Sequence, residues 1–157
     1  MKVATIHEIK QELLVVSPTV LLDCCIRLAK FKKENKELLT YLLFEANDEA
    51  AYIQQAKEDI SQQFAEINQS NLYFAKKSLR KILRTTARYI RYTGSKQAEV
   101  ELLLHFSDTL HHSGIHVYKN TALTNLYQSQ LKKITKVIST MHEDLQYDYL
   151  KALKMLM

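Results

Sequence analysis

Residues 72–94 read LYFAKKSLRKILRTTARYIRYTG, the most regular helical pattern in the chain. At 100° per residue, Leu72, Ala75, Leu79, Ile82, Leu83, Thr86 and Ile90 fall on one side. Lys77, Arg80, Lys81, Arg84, Arg88 and Arg91 fall on the other, in an arc about 100° wide. Burial of the apolar side explains why the segment is helical. Gly94 suits the left-handed position just past a helix end, and Ser95 is placed to cap the helix that follows.

The cations of this helix are not balanced locally. No acidic residue lies between Glu66 and Glu99, and the eight cations in that interval sum to +8 in a chain whose net charge is +5. The preceding stretch, 34–66, carries eight acids against Lys36 and Lys57, a sum of −6. Like charges at i,i+4 repel by a few tenths of a kcal/mol per pair, so the stripe calls for a neutralising partner. Three are available. Glu58, Asp59 or Glu66 of the preceding helix can lie beside the arginines, as exposed pairs worth about 0–1 kcal/mol each. Nucleic-acid phosphates match arginine forks, and Tyr73 on the same arc and Tyr92 at its edge offer rings to unpaired bases. An acidic protein or an anionic membrane surface is the third; the absence of Trp favours the protein.

Outward from this helix the chain reads as all-α. Two glycines and one proline in 157 residues are too few to turn a sandwich, a barrel or a Rossmann sheet, and no glycine-rich phosphate loop exists. A chain of this length buries about 68–70% of its unfolded surface, so one domain over 1–157 is expected without disulfide or metal staples. Ile6, Ile9, Leu13 and Val16 mark a first short helix. Ser17-Pro18 caps a second, running to about Phe31, with Leu21, Leu22, Cys25, Ile26, Leu28 and Ala29 inward. KKEN is a polar break, or a bend in a longer helix. Leu38, Leu39, Tyr41, Leu42 and Leu43 form a third helix, buried on much of its circumference. Further helices are expected over about 49–67, 72–93 and 96–112, and a last one of about 30 residues reaches towards Met157. The whole is six or seven mostly antiparallel helices, in a helical bundle or a short α–α superhelix. In the last helix Tyr127, Leu131, Ile134, Ile138, Met141 and Leu145 follow heptad spacing, broken by Asp148. This is either the helix that closes the bundle or a seam for a homodimer.

Adjacent Cys24 and Cys25 lie in an apolar stripe about 100° apart, which fits inert thiols in a reduced, cytoplasmic chain. No apolar run approaches the roughly 20 residues that span a bilayer, and the first residues show no secretory h-region. Glu101, His105, Asp108 and His112 share one polar face and are the only constellation with metal-ligand chemistry. Asp108 and His111 have the i,i+3 spacing of di-iron bundles, but no second helix supplies a matching pair, so no metal or cofactor is assigned. His111, His112 and His116 crowd the loop at Gly114, where a pH-dependent contact can form. Nucleophile elbow, Walker A and HExxH patterns are all absent, and no enzyme is expected.

The stretches LAKFKKENKELLTYLLFEANDE (28–49) and NLYFAKKSLRKILRTTARYIRYTGSKQAEVELL (71–103) resemble a family of small all-helical bacterial proteins with no assigned activity. The resemblance covers most of the chain; it implies a bacterial intracellular protein and supplies no functional residues. The expectation from the residues is a non-enzymatic, cytoplasmic interaction module. Its basic helix face, Lys77, Arg80, Lys81, Arg84, Arg88 and Arg91, meets an acidic protein partner; nucleic-acid binding through the same stripe is the alternative.

Overall fold

The computed structural model describes residues 1–157 and contains eight α-helices and no strand. They are α1 (Ile6–Val15), α2 (Pro18–Phe31), α3 (Lys33–Thr40), α4 (Glu49–Ala65), α5 (Leu72–Thr93), α6 (Lys96–His112), α7 (Thr121–Ile138) and α8 (Glu143–Lys154). A π turn, Tyr41–Glu45, follows α3, and a 3-10 turn, Val117–Lys119, precedes α7. No helix is long and apolar enough to cross a membrane.

Short polar side chains set most of the helix starts. Thr5 and Glu8 form a reciprocal capping box at α1, Ser17 caps α2 ahead of Pro18, and Asp48, Asn71, Ser95 and Asn120 accept from the first backbone N–H groups of α4, α5, α6 and α7. Gly94 ends α5 at φ 63°, in the left-handed region that a side chain occupies only at a cost.

The expected 30-residue final helix is two helices. Ser139 and Thr140 turn their hydroxyls onto the carbonyls of Lys136 and Val137, and His142 caps α8 by accepting from the Asp144 N–H. Glu143 and Asp144 then sit in the first turn of α8, where the helix dipole favours them. The break lets Tyr149 reach Glu101 of α6 and places Leu153 and Leu156 in the core, where the buried Tyr127 hydroxyl donates to the Leu156 carbonyl at 2.9 Å. Tyr127, Leu131, Ile134 and Ile138 are buried in the same core. The part of the heptad run from Tyr127 to Ile138 is therefore used within the chain, while Leu145 is exposed.

Where one domain is expected, the chain divides into two compact units, Met1–Phe44 and Glu45–Met157. In the first, α2 and α3 form a hairpin whose turn is held by the Asn35 side-chain amide donating to the Leu28 carbonyl at 2.8 Å. Cys25, Ala29 and Leu39 are half-buried along a small apolar slot between these two helices. No residue of α1, α2 or α3 is fully buried, so the inward faces expected for Leu21, Leu22, Ile26 and Leu28 do not form. Of the helix expected around Leu38–Leu43, Tyr41 alone is buried, and Leu42 and Leu43 are exposed. Three short helices in 44 residues have too little volume to enclose a core.

The second unit has the core, and α6 lies at its centre. Ala98, Val100, Leu102, Leu103, Phe106, Ser107 and Leu110 are all buried. They pack among Ile53, Ile60 and Phe64 of α4, Leu79 and Ile82 of α5, and Leu123, Tyr127 and Ile134 of α7. The Phe64 and Phe106 rings meet at 5.3 Å. Helices α4 and α6 run parallel at a constant offset of 44 residues, since Lys57 contacts Glu101 and Ser61 contacts His105. The Gln69 amide reaches the Ser113 carbonyl at the same offset. Helix α5 returns antiparallel between them, with Tyr89 bonded to Asp59. Helix α7 then runs antiparallel to α6, Lys133 pairing with Glu99 near one end and His111 stacking on Tyr127 near the other. The unit is thus a bundle of stacked αα-hairpins, with a step in the range of α–α repeats.

The contrast between the units is measurable. Leu79→Ala is expected to cost about 2–5 kcal/mol in denaturant unfolding of the full chain. Leu22→Ala, at a position 59% exposed, is expected to shift stability by no more than about 0.5 kcal/mol.

Candidate anion-binding groove

Asn71 starts α5 and Gly94 ends it, and between them Ala75, Leu79, Ile82, Thr86 and Ile90 seat the helix on the core. This fixes the rotation of its outward residues. Leu72, expected inward, is 45% exposed, and Leu83 is only partly buried. The six expected cations do not form one row. Lys77, Arg80 and Arg84 line a groove between α5 and α7, joined by Lys76 and, across it, by Lys133 of α7. Lys81 and Arg88 sit further round the helix; the Arg88 guanidinium donates to Thr85 Oγ1 at 3.4 Å. Arg91 lies a turn beyond the groove lining.

The acids of α4 do not reach these cations. Glu58 accepts from Gln54, and Asp59 accepts from Tyr89 at 2.6 Å and from Gln63 at 2.7 Å. Burial and the Asp59 carboxylate together push the Tyr89 hydroxyl pKa far upward, which keeps it a donor at any ordinary pH. No carboxylate lies within ion-pairing distance of Lys76, Lys77, Arg80, Lys81, Arg84 or Arg91. Lys133 is different, because its ammonium pairs with Glu99 at 3.1 Å.

The groove has a volume of about 840 Å³. Its floor is apolar, formed by Leu83 and Ala87 of α5 and the buried Leu103 of α6. Gln130 lies at the α7 side, its amide N–H group spent on the Leu126 carbonyl and the Ser129 hydroxyl. Tyr73 stands at the α5 N-terminal end, 66% exposed. The arrangement suits a ligand that combines negative charge with apolar surface. Lys76 and Lys133 were the members not singled out from sequence; Lys76 adjoins the arc, whereas Lys133 is brought to it only by the packing of α7 beside α5.

The opposite face of α6 carries the other polar cluster. Glu101, His105 and Asp108 line a cleft of about 400 Å³ with Lys57, Asp148 and Tyr149. Glu101 takes the Lys57 ammonium at 2.7 Å, and also accepts from Gln97 and from the Tyr149 hydroxyl at 3.1 Å. Burial pushes its carboxyl up, but these hydrogen bonds and the Lys57 charge outweigh it and hold the pKa below 4.5. Tyr149 is pushed up to about 12 by burial and by Glu101. His105 Nε2 lies 2.8 Å from the Ser61 hydroxyl, and burial and the Lys57 charge hold its pKa below 6.5. His112 is turned to its own helix, with Nδ1 3.0 Å from the Asp108 carbonyl oxygen and 3.3 Å from its carboxylate. Glu101, His105, Asp108 and His112 therefore do not converge, and no three carboxylate, histidine or cysteine groups of the structure are placed to hold an ion. His111 stacks against Tyr127, and His116 lines a small cavity with them near Tyr118. Cys24 and Cys25 are free thiols, the first exposed.

No family model matches this sequence, and neither a curated protein nor a solved structure matches it.

The polar cleft predicts a pH dependence of stability. Because the folded pKa of His105 lies below 6.5, the unfolded chain binds a proton that the folded chain resists as pH falls through that value. This contribution is fully present above pH 6.5 and is lost below it. Glu101, held below 4.5, adds a second loss in stronger acid. Urea midpoints measured across this range are expected to lose the first step in His105→Gln and retain the second.

Proposed function

We propose that this protein is a non-enzymatic interaction module whose α5–α7 groove receives an acidic protein partner. One observation carries the reading: Lys76, Lys77, Arg80 and Arg84 border an apolar groove along one side, and none of them has a carboxylate of its own chain within ion-pairing distance. On α5, Lys76, Arg80 and Arg84 follow one another at four-residue steps, so each adjacent pair repels, and the helix gains when an anion settles there. A phosphate backbone has the charge but no use for Leu83, Ala87 and Leu103, whereas a protein segment offers carboxylates and apolar side chains together. A cytoplasmic setting accords with the free thiols.

Nucleic acid is the second reading, and exposed Tyr73 beside Lys76 and Lys77 supports it, since a ring next to cations is a stacking platform for an unpaired base. Of the full expected stripe, Lys81, Arg88 and Arg91 are then peripheral, because they lie outside the groove lining.

Titrations of labelled polyglutamate and of single- and double-stranded oligonucleotides, from about 0.05 to 0.2 M salt, separate the readings. Polyglutamate is expected to bind the protein at low salt. The double variant Arg80→Glu, Arg84→Glu is expected to weaken this at least about tenfold, a loss of about 1.4 kcal/mol, while Lys81→Glu changes it little. Oligonucleotide binding that exceeds polyglutamate binding, with a steep log-salt slope, assigns the groove to nucleic acid. Failure of every polyanion to bind at low salt removes the binding surface altogether.

A further inference from the structure

We infer that the acidic partner enters the α5–α7 groove as an amphipathic helix, with apolar residues down and carboxylates on its flanks. This rests on the assignment of the groove to an acidic protein and specifies the form of the ligand. The first argument is shape. From Tyr73 to Ala87 the groove follows α5 for 15 residues, whose 14 steps of 1.5 Å make about 21 Å, or four turns of a docked helix. A trough between two helices, with Leu103 of a third at its base, receives another helix in the way helix-in-groove recognition does.

The second argument is the distribution of charge across the trough. Leu83, Ala87 and Leu103 are the apolar lining, and Lys76, Lys77, Arg80 and Arg84 all come from α5. On the α7 side Lys133 is already paired with Glu99. The free positive charge is therefore on one wall. An extended strand that alternates acidic and apolar residues sets its two faces 180° apart, whereas the cations and the apolar lining of the groove adjoin. A helix with apolar residues at i, i+3, i+4 and i+7 presents one apolar stripe to the floor. Its carboxylates, at four-residue steps along one flank, then match Lys76, Arg80 and Arg84, which share that step. Ala87 completes the fit, because its small side chain leaves room on the floor for a larger one.

Three probes of equal length test the inference: an acidic peptide with one leucine stripe in helical register, a scrambled peptide of the same composition, and polyglutamate. The first is expected to bind at least about tenfold more tightly than the scrambled one, and to gain helicity on binding by far-ultraviolet circular dichroism. Ala87→Trp, which fills the floor, is expected to abolish this preference. Leu83→Ser, which trims the floor, is expected to reduce the preference and serves if the tryptophan variant does not fold. Equal binding of the registered and scrambled peptides overturns the helical ligand while the acidic-partner assignment survives. Absence of binding by all three, polyglutamate included, overturns that assignment as well.

Discussion

The structure depends on the burial of α6. Its buried residues, Ala98, Val100, Leu102, Leu103, Phe106, Ser107 and Leu110, spread over an arc of about 200° at 100° per residue. One neighbouring helix covers a stripe of about half that width, so α6 is stable only when flanked by several. The 44-residue offset between α4 and α6, with α5 returning between them, supplies two of those neighbours, and α7 supplies the third. Even Glu99, which falls inside the arc, is accommodated by Lys133 of α7.

The remaining 160° or so of α6 is polar apart from Leu104, and the two clefts beside α6 follow from that division. On the polar side Glu101 gathers Lys57, Gln97 and Tyr149 into a hydrogen-bonded set that ties α4 and α8 to α6. Both carboxylate oxygens of Glu101 are engaged there. On the buried side α5 and α7 both rest on α6 with a groove between them, and Leu103 forms part of its floor. The cations of α5 border this groove because the apolar side of the same helix is spent on the core. The basic groove is thus a consequence of how α5 is seated, and Asp59 of α4 is engaged by Tyr89.

Much of this was legible in the residues. The span of α5, its stop at Gly94, the caps at Ser17, Asp48 and Ser95 and the all-helical class follow from periodicity and from side chains that complete a helix end locally. The break of the last helix was also written in Ser139, Thr140 and the acids that follow His142, but the apolar heptad spacing across it dominates a reading by periodicity. The apolar stripes of α1, α2 and α3 misled for another reason. Periodicity states which face is apolar and says nothing about what covers it, and within Met1–Phe44 no core forms to do so. The candidate site was half legible. Lys77, Arg80 and Arg84 stand out on a helical projection; Lys133 and Leu103 are distant in sequence and join them only by packing.

The sequence alone determined the helices, their ends and the imbalance of charge between residues 34–66 and 67–98, because each of these is set within a few neighbours along the chain. Tertiary structure decided which of the seven cations of α5 border a groove, which acids of α4 are engaged elsewhere, and that Tyr127, Leu131, Ile134 and Ile138 close a core. Those outcomes depend on how one helix is rotated and seated against others far away in sequence, and that is fixed by the shape of the buried surface around α6.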